Sequence, residues 1–105
     1  MEIWRIIKTL QGKTIKTLDR KRLFDISSVN RRGVVVVPHV SGKGRYIKRS
    51  TIEDAFSELR ARGELPRSDI QNRYSSFNPA YIAALLAEHP DVEYRLRPIV
   101  LHFRK

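Results

Sequence analysis

Four consecutive valines, Val34 to Val37, constrain the fold of this chain more than any other stretch of its sequence. Successive side chains of a β-strand point to opposite faces, so an unbroken β-branched run places apolar groups on both faces of a sheet. Such a run is typical of a central strand that is covered on two sides. The turns predicted beside it, Asn30–Gly33 and Ser41–Gly44, carry cations. We therefore expect a rigid apolar strand with basic turns at its ends.

The neighbouring segments complete a three-stranded antiparallel meander. Leu23–Val29 alternates apolar and polar residues as a half-buried strand does, and Arg45–Lys48 forms the third strand. Gly33 is expected to provide the positive φ that the first hairpin loop requires. Pro38 has no N–H to donate to a neighbouring strand, so the central strand ends there.

The second half of the chain carries the signals of helix starts and stops. Capping boxes at Ser50–Glu53 and Ser68–Gln71 predict two helix starts. The first of these helices ends at Gly63, which is expected to form a left-handed cap. Asn78 is expected to cap a third helix, with Pro79 at the first helical position.

The two ends of the chain and one internal segment are assigned by spacing and composition. Apolar residues at helical spacing predict an amphipathic helix over 2–11, with Trp4 as a packing anchor. A strand is the alternative, because Ile, Trp and Thr also favour strands. Glu64–Pro66 is interpreted as a linker, and residues 93–97 and 99–103 as extended.

Together these elements predict an α+β fold in which a small antiparallel β meander packs against a three-helix half. A chain of 105 residues is expected to form a single domain over 1–105, with a basic β-rich half at 1–49 and a helical half at 50–105. The lack of cysteine excludes disulfides, thiolate metal sites and cysteine nucleophiles. No stretch approaches the roughly 18 apolar residues of a membrane span, so we expect a soluble cytoplasmic protein with no membrane partner.

The net charge of +10 is distributed unevenly along the chain. Residues 1–50 contain 13 Lys and Arg against 3 Asp and Glu, whereas residues 51–105 contain 8 of each kind. A basic patch favours nucleic-acid binding, because neutralising phosphates releases condensed counterions. The first half is therefore expected to hold the contact surface.

Residues 50–103 resemble the winged-helix or helix-turn-helix class in the order of their elements. The matching parts are a capped helix over 50–62, the segment GELPRSDIQNRY, the turn SSF, the helix NPAYIAALLAEHP and a terminal strand as the wing. The resemblance implies that the NPAYIAALLAEHP helix enters the major groove and reads bases with its N-terminal residues. This helix has no Lys or Arg, so we interpret it as a core helix.

Phosphate contacts are instead assigned to the basic β half and its turns. Arg31 and Arg32 lie at a hairpin tip that could enter a groove, where Arg can pair with guanine. Tyr46 either stacks on an unpaired base or packs within the protein, and Asn78 could bond a base edge. The cations assigned to the interface are Lys13, Lys16, Arg20, Lys21, Arg22, Arg31, Arg32, Lys43, Arg45, Lys48 and Arg49.

Catalytic and metal-site patterns are weak in this sequence. His39, His89 and His102 do not have the spacing of metal ligands. Pro90-Asp91 followed by Glu93-Tyr94-Arg95 resembles a nuclease motif only faintly, because Arg replaces the expected Lys and the carboxylates are two residues apart. We therefore expect a protein that is not an enzyme and has no cofactor and no metal.

Binding of duplex DNA, by a regulator, an architectural protein or an accessory module, is the function that these patterns favour. RNA, including ribosomal RNA, is the nearest alternative, because a basic sheet with an exposed tyrosine also suits single strands. The alternative from another class is a protein-interaction module or inhibitor. It would dock the basic half on an acidic partner and use the neutral C-terminal half as a second surface. The oligomeric state stays open.

Overall fold

The computed structural model describes residues 2–104 and has an α+β fold of four helices and two antiparallel sheets within that range. The helices are α1 (Ile3–Thr9), α2 (Arg49–Arg62), α3 (Arg67–Arg73) and α4 (Pro79–Leu86). The strands are β1 (Thr14–Lys16), β2 (Leu23–Val29), β3 (Gly33–Pro38), β4 (Arg45–Lys48), β5 (Glu64–Pro66), β6 (Val92–Arg95) and β7 (Val100–Phe103). Within the described range, no helix is both long enough and apolar enough to cross a membrane.

The valine run forms an interior strand of the first sheet, whose strand order is β1-β2-β3-β4. Val34 and Val36 are fully buried on the inner face, whereas Val35 and Val37 are half-buried on the outer face. The strand ends at Pro38, which faces Phe24 across the sheet. The predicted central position and end of this strand are confirmed, but its outer face is only partly covered.

The first hairpin loop differs from its prediction at Gly33. The φ of Gly33 lies outside the left-handed region, and the turn is held by the Asn30 side chain, whose oxygen accepts from the N–H groups of Arg32 at 2.7 Å and Gly33 at 3.1 Å. A Cβ at position 33 would lie 2.6 Å from both the Ile47 carbonyl oxygen and the Tyr46 ring. The expectation of a positive φ was wrong. Glycine is needed here because strand β4 approaches closely.

Both predicted capping boxes are also wrong, because strand pairing sets where these helices begin. Helix α2 starts at Arg49, whose backbone N–H donates to the Arg32 carbonyl at 2.8 Å. Helix α3 starts at Arg67, whose N–H donates to the Ile99 carbonyl at 3.0 Å. Neither helix receives a side-chain capping bond from the described part of the chain. At the other end of α2, Gly63 has a φ of 85° and forms the predicted left-handed cap.

The segment predicted as a linker, Glu64–Pro66, is instead strand β5, which pairs with β7. Elements α2, β5, α3, α4, β6 and β7 follow one another, and the second sheet has the order β5-β7-β6. A segment of three residues is too short to show the alternation of apolar and polar residues that marks a strand. It is recognised as a strand only by its pairing with β7.

Helix α4 is the most completely buried of the four described helices. Six of its eight residues are buried, which confirms its interpretation as a core helix. Its Tyr81 ring meets the first sheet in an edge-to-face contact with Phe24, with centroids 5.0 Å apart. Helix α1 adds Trp4, which is 2% exposed and confirms the predicted packing anchor. One cluster of buried residues runs through both halves of the chain.

Replacing Gly33 by alanine should lower the free energy of unfolding by about 1–3 kcal/mol, because the added methyl group overlaps a backbone carbonyl that cannot rotate away. Urea denaturation measures the change. The exposed β2 residue Ser27 offers a control, and Ser27→Ala should change the stability by less than about 0.5 kcal/mol. A Gly33→Ala protein as stable as the wild type would contradict the close approach.

Candidate functional site

The strand pairing of the first sheet sorts the predicted cations into two groups. Pairing of Lys16 with Leu23, and of Phe24 with Pro38, brings the β1–β2 turn and the β3–β4 turn to one end, the double-turn end. Pairing of Gly33 with Lys48 places the β2–β3 turn at the opposite, single-turn end. The double-turn end holds Lys16, Arg20, Lys21, Arg22, Lys43 and Arg45. The single-turn end holds Arg31, Arg32, Lys48 and Arg49, and Lys13 lies beside the middle of β2.

The two groups are too far apart to serve one short binding site. Strand β3 has six residues, and a rise of about 3.3 Å per residue separates its ends by roughly 17–20 Å. The structure therefore separates the predicted interface cations into two surfaces. The double-turn end faces a concave surface that it shares with the helical half.

This concave surface, the arginine cleft, has a volume of about 410 Å³. Four arginines line it, together with one carboxylate, Asp19, and the start of α4. Three of them were predicted as interface residues from the β half, and the fourth comes from the first turn of α3. The arginines are Arg20, Arg22, Arg45 and Arg67.

Arg45 is held in place by the start of helix α4. Strand alternation directs Arg45 and Tyr46 to opposite faces of the sheet, so Arg45 points toward the helices. Its guanidinium carbon lies 5.5 Å from the centroid of the Tyr81 ring. Its Nη1 donates to the Phe77 carbonyl at 3.2 Å and to Asn78 Oδ1 at 3.4 Å. These contacts fix a charged side chain that would otherwise be flexible.

Arg67 contributes a buried polar atom to the same cleft. Its Nε is buried and has no hydrogen-bond acceptor among residues 2–104. Burying an unpaired donor costs free energy. An anion in the cleft would offset that cost.

Two further cations near the cleft have a left-handed backbone conformation. Lys21 has a φ of 54° and Arg97 a φ of 62°. Lys21 Nζ lies 5.8 Å from the Tyr94 ring, and Arg97 lines a groove that adjoins the cleft and shares Asp19 and Arg67 with it. Non-glycine residues adopt this conformation rarely and at some energetic cost.

The cleft arginines differ from other arginines of the chain in their partners. Arg62 and Arg73 both pair with Glu58, and Arg62 also reaches Asp69 at 2.9 Å. By contrast, within the described range none of the four cleft arginines forms an ion pair with a carboxylate. Like charges that line a cleft focus the electric field there and attract an anion of opposite sign.

Several predicted site residues serve other contacts. Arg49 pairs with Glu53 at 3.1 Å, and its guanidinium lies 5.3 Å from the Trp4 ring. Tyr46 is half exposed on the outer face, where its ring lies against Gly33. Arg31 and Arg32 are exposed at the single-turn end, away from the cleft. The structure therefore removes Arg49 and Tyr46 from the cleft surface.

Residues at the start of α4 are also held by contacts within the protein. Asn78 precedes the helix as expected, but its Oδ1 accepts from Arg45. Tyr81 packs on Phe24, and Ala84 is 1% exposed. Helix α4 consequently has no open face with which to enter a groove.

Sequence reasoning missed Arg67, Arg97 and Phe77. Phe77 carried a signal, since a large aromatic residue in the polar turn SSFNP lies outside any apolar helical face. The two arginines carried none, because their proximity to the cleft depends on the β5–β7 pairing and on the β6–β7 connection.

Asp25, on the outer face of the first sheet, contacts both a hydroxyl group and an imidazole. Its Oδ1 accepts from Thr14 Oγ1 at 2.5 Å and lies 2.8 Å from His39 Nε2. The Thr14 hydrogen bond, followed by that of His39, lowers the pKa of Asp25. A nucleophile triad requires the histidine between hydroxyl and carboxylate, whereas here the carboxylate lies in the middle. Among residues 2–104, no group of three or more His, Asp or Glu residues is arranged to hold a metal ion.

Neither a family model, nor a curated protein, nor a solved structure matches this chain. The function of this protein is therefore inferred from the geometry and charge of the cleft.

Tripolyphosphate should raise the melting temperature of the protein more than chloride at the same ionic strength, because it can bind the four unpaired arginines together. An Arg20→Gln/Arg22→Gln variant should lose most of this rise. The matched control is Arg31→Gln/Arg32→Gln, which removes the same charge from the single-turn end and should keep the rise. Equal loss in both variants would show a general charge effect and no cleft site.

The Glu58 cluster predicts an abnormal tyrosine titration. Burial and the hydrogen bond to Glu58 raise the pKa of Tyr74 to about 12. The protonated Tyr74 hydroxyl therefore stabilises the fold fully at pH values below the ordinary tyrosine pKa of about 10. This contribution is lost as the pH rises through about 12. Alkaline titration of tyrosinate absorbance should therefore show one late step among four tyrosines, absent in Tyr74→Phe. The step should persist in Tyr94→Phe, and a single common pKa would contradict the contact.

Proposed function

We propose that this protein binds DNA, with little sequence preference and without catalysis, through the arginine cleft and the lysines of the double-turn end. The observation that carries the proposal is the convergence of four arginines, from both halves of the chain, with no carboxylate paired to them in the described range. Guanidinium groups match phosphate geometry and can bind it with two parallel hydrogen bonds.

The distribution of charge supports a polyanion as the ligand. The whole net charge of +10 resides in residues 1–50, and six of the cations predicted there lie at the double-turn end. Lys16, Lys21 and Lys43 surround the cleft end of the sheet and extend the positive surface beyond it. Each phosphate that they neutralise releases counterions and adds affinity at low salt.

The order of elements in the helical half also supports this proposal. This half consists of a helix, a strand, two helices and a two-stranded hairpin, and its sheet has the order β5-β7-β6. That order of elements is in keeping with the winged-helix resemblance. The buried α4 cannot act as the groove-reading helix of that class. Contacts to phosphates without a base-reading element position a protein on DNA but do not specify a sequence.

The decisive experiment measures DNA affinity as a function of salt for the wild type and the two double variants introduced above. With roughly five or six phosphates contacted, the log–log slope on a duplex should be about −5 between about 50 and 300 mM salt. Arg20→Gln/Arg22→Gln should flatten the slope by about two, whereas Arg31→Gln/Arg32→Gln should leave it unchanged.

The same measurements separate the alternatives. A reversed pattern between the two double variants would move the contact to the single-turn end. Tighter binding of duplex RNA than of duplex DNA would make RNA the ligand. Absence of binding at the lowest salt would refute nucleic-acid binding and favour docking on an acidic protein surface.

A further inference from the structure

We propose that the arginine cleft holds an unpaired nucleotide, whose phosphates contact the arginines and whose base stacks on Phe77. This inference rests on the proposed DNA binding and specifies its substrate class. It predicts that single-stranded or locally unpaired DNA is preferred over a fully paired duplex.

The exposure of Phe77 is the first observation. Its residue surface is 82% exposed, whereas Phe24 and Phe56 are 0% and 4% exposed and Phe103 packs against the core. Exposing a phenyl ring to water is unfavourable, and the fold gains no packing from this one. An exposed aromatic ring beside a cationic groove is the arrangement on which proteins stack bases.

The position of Phe77 is the second observation. It lies at the edge of the arginine cleft, and its carbonyl accepts from Arg45 Nη1 at 3.2 Å. Residue Phe77 and the cationic head of Arg45 thus lie next to each other in the cleft, as contacts to the base and the phosphate of one nucleotide require. No other described residue of the cleft presents a comparably exposed apolar side chain.

The turn that carries Phe77 is anchored on both sides. The Ser75 N–H donates to the Ile70 carbonyl at 3.0 Å, and the Asn78 N–H donates to Ser75 Oγ at 3.1 Å. Pro79, two residues further along, is buried at the start of α4. A ring on a fixed turn loses little conformational freedom when a base stacks on it.

The arginine cleft is large enough to admit one unpaired base. Its volume of about 410 Å³ falls in the range of small-ligand pockets, about 300–1,000 Å³. In a duplex both faces of each base are covered by neighbouring bases, so a base reaches a protein ring only when it is unpaired or extruded. Phosphate contacts alone would suit a duplex, but Phe77 would then have no partner.

The test compares wild-type protein with Phe77→Ala and Phe77→Tyr on three labelled ligands of about 20 nucleotides: oligo-dT, oligo-rU and a blunt DNA duplex. Val40→Ala is the matched control, since Val40 is an apolar residue 78% exposed on the β3–β4 turn and outside the cleft. The melting temperature of each variant establishes that it folds. Folding is expected, because the side chains of Phe77 and Val40 are both exposed.

We expect Phe77→Ala to weaken oligo-dT binding by about tenfold, because one stacked base is lost. The value of a stacked base allows a range of roughly 5- to 150-fold. Its salt slope should remain that of the wild type, since no phosphate contact changes. Phe77→Tyr should restore the affinity, and Val40→Ala should leave it within about twofold. Duplex binding should change by less than about twofold in Phe77→Ala.

Two results overturn the inference. If Phe77→Ala binds oligo-dT as tightly as the wild type, or weakens duplex and single strand equally, the ring does not stack on an unpaired base. The DNA-binding proposal would survive either result, provided that the salt slope and its dependence on Arg20 and Arg22 persist. Absence of binding to every ligand would refute both, and weakening confined to oligo-rU would assign the unpaired nucleotide to RNA.

Discussion

Burial of helix α4 is the constraint on which the rest of this structure depends. Six of its eight residues are removed from solvent, and its apolar side chains belong to the cluster of buried residues that also includes residues of both sheets, α2 and α3. Burial of apolar surface is the main favourable term in folding, and α4 concentrates it at the junction of the two halves. Tyr81, at the edge of this core, contacts Phe24 on one side and Arg45 on the other. The same helix therefore organises both the core and the cleft.

The arginine cleft follows from the way the first sheet meets this core. The inner face of the sheet is used mainly for packing, and most of the predicted interface cations lie at the ends of its strands and in its turns. The double-turn end abuts the start of α3 and α4, where Arg67 and Phe77 complete the cleft. The four cleft arginines form no ion pair with a carboxylate among residues 2–104, whereas Arg62 and Arg73 pair with Glu58 and Asp69. Clustered positive charges repel one another and lower the stability of the fold. A cleft that leaves its arginines without carboxylate partners therefore favours a negatively charged ligand.

The errors of the sequence-based predictions have a common physical origin. Ser50–Glu53 and Ser68–Gln71 have the residues of capping boxes, yet α2 and α3 begin where backbone N–H groups of Arg49 and Arg67 are taken by strand-associated carbonyls. Gly33 looked like a turn glycine, yet its role is to admit β4 at close range. Local residue chemistry could not anticipate these features, because the deciding partners lie 13 to 32 residues away along the chain. They are Tyr46 and Ile47 for Gly33, Arg32 for Arg49 and Ile99 for Arg67.

The sequence by itself determined the strand character of the valine run, the meander from Leu23 to Lys48, the core role of the Asn78–Leu86 segment and the uneven charge. These depend on side-chain periodicity, on the missing N–H of Pro38 and on counting ionisable groups, all of which are local properties. Only the tertiary structure decided which cations share a surface, that Arg49 and Tyr46 face elsewhere, and that Phe77 stands beside Arg45. The reason is that strand register and helix packing bring together residues far apart in sequence, and no local pattern encodes those distances.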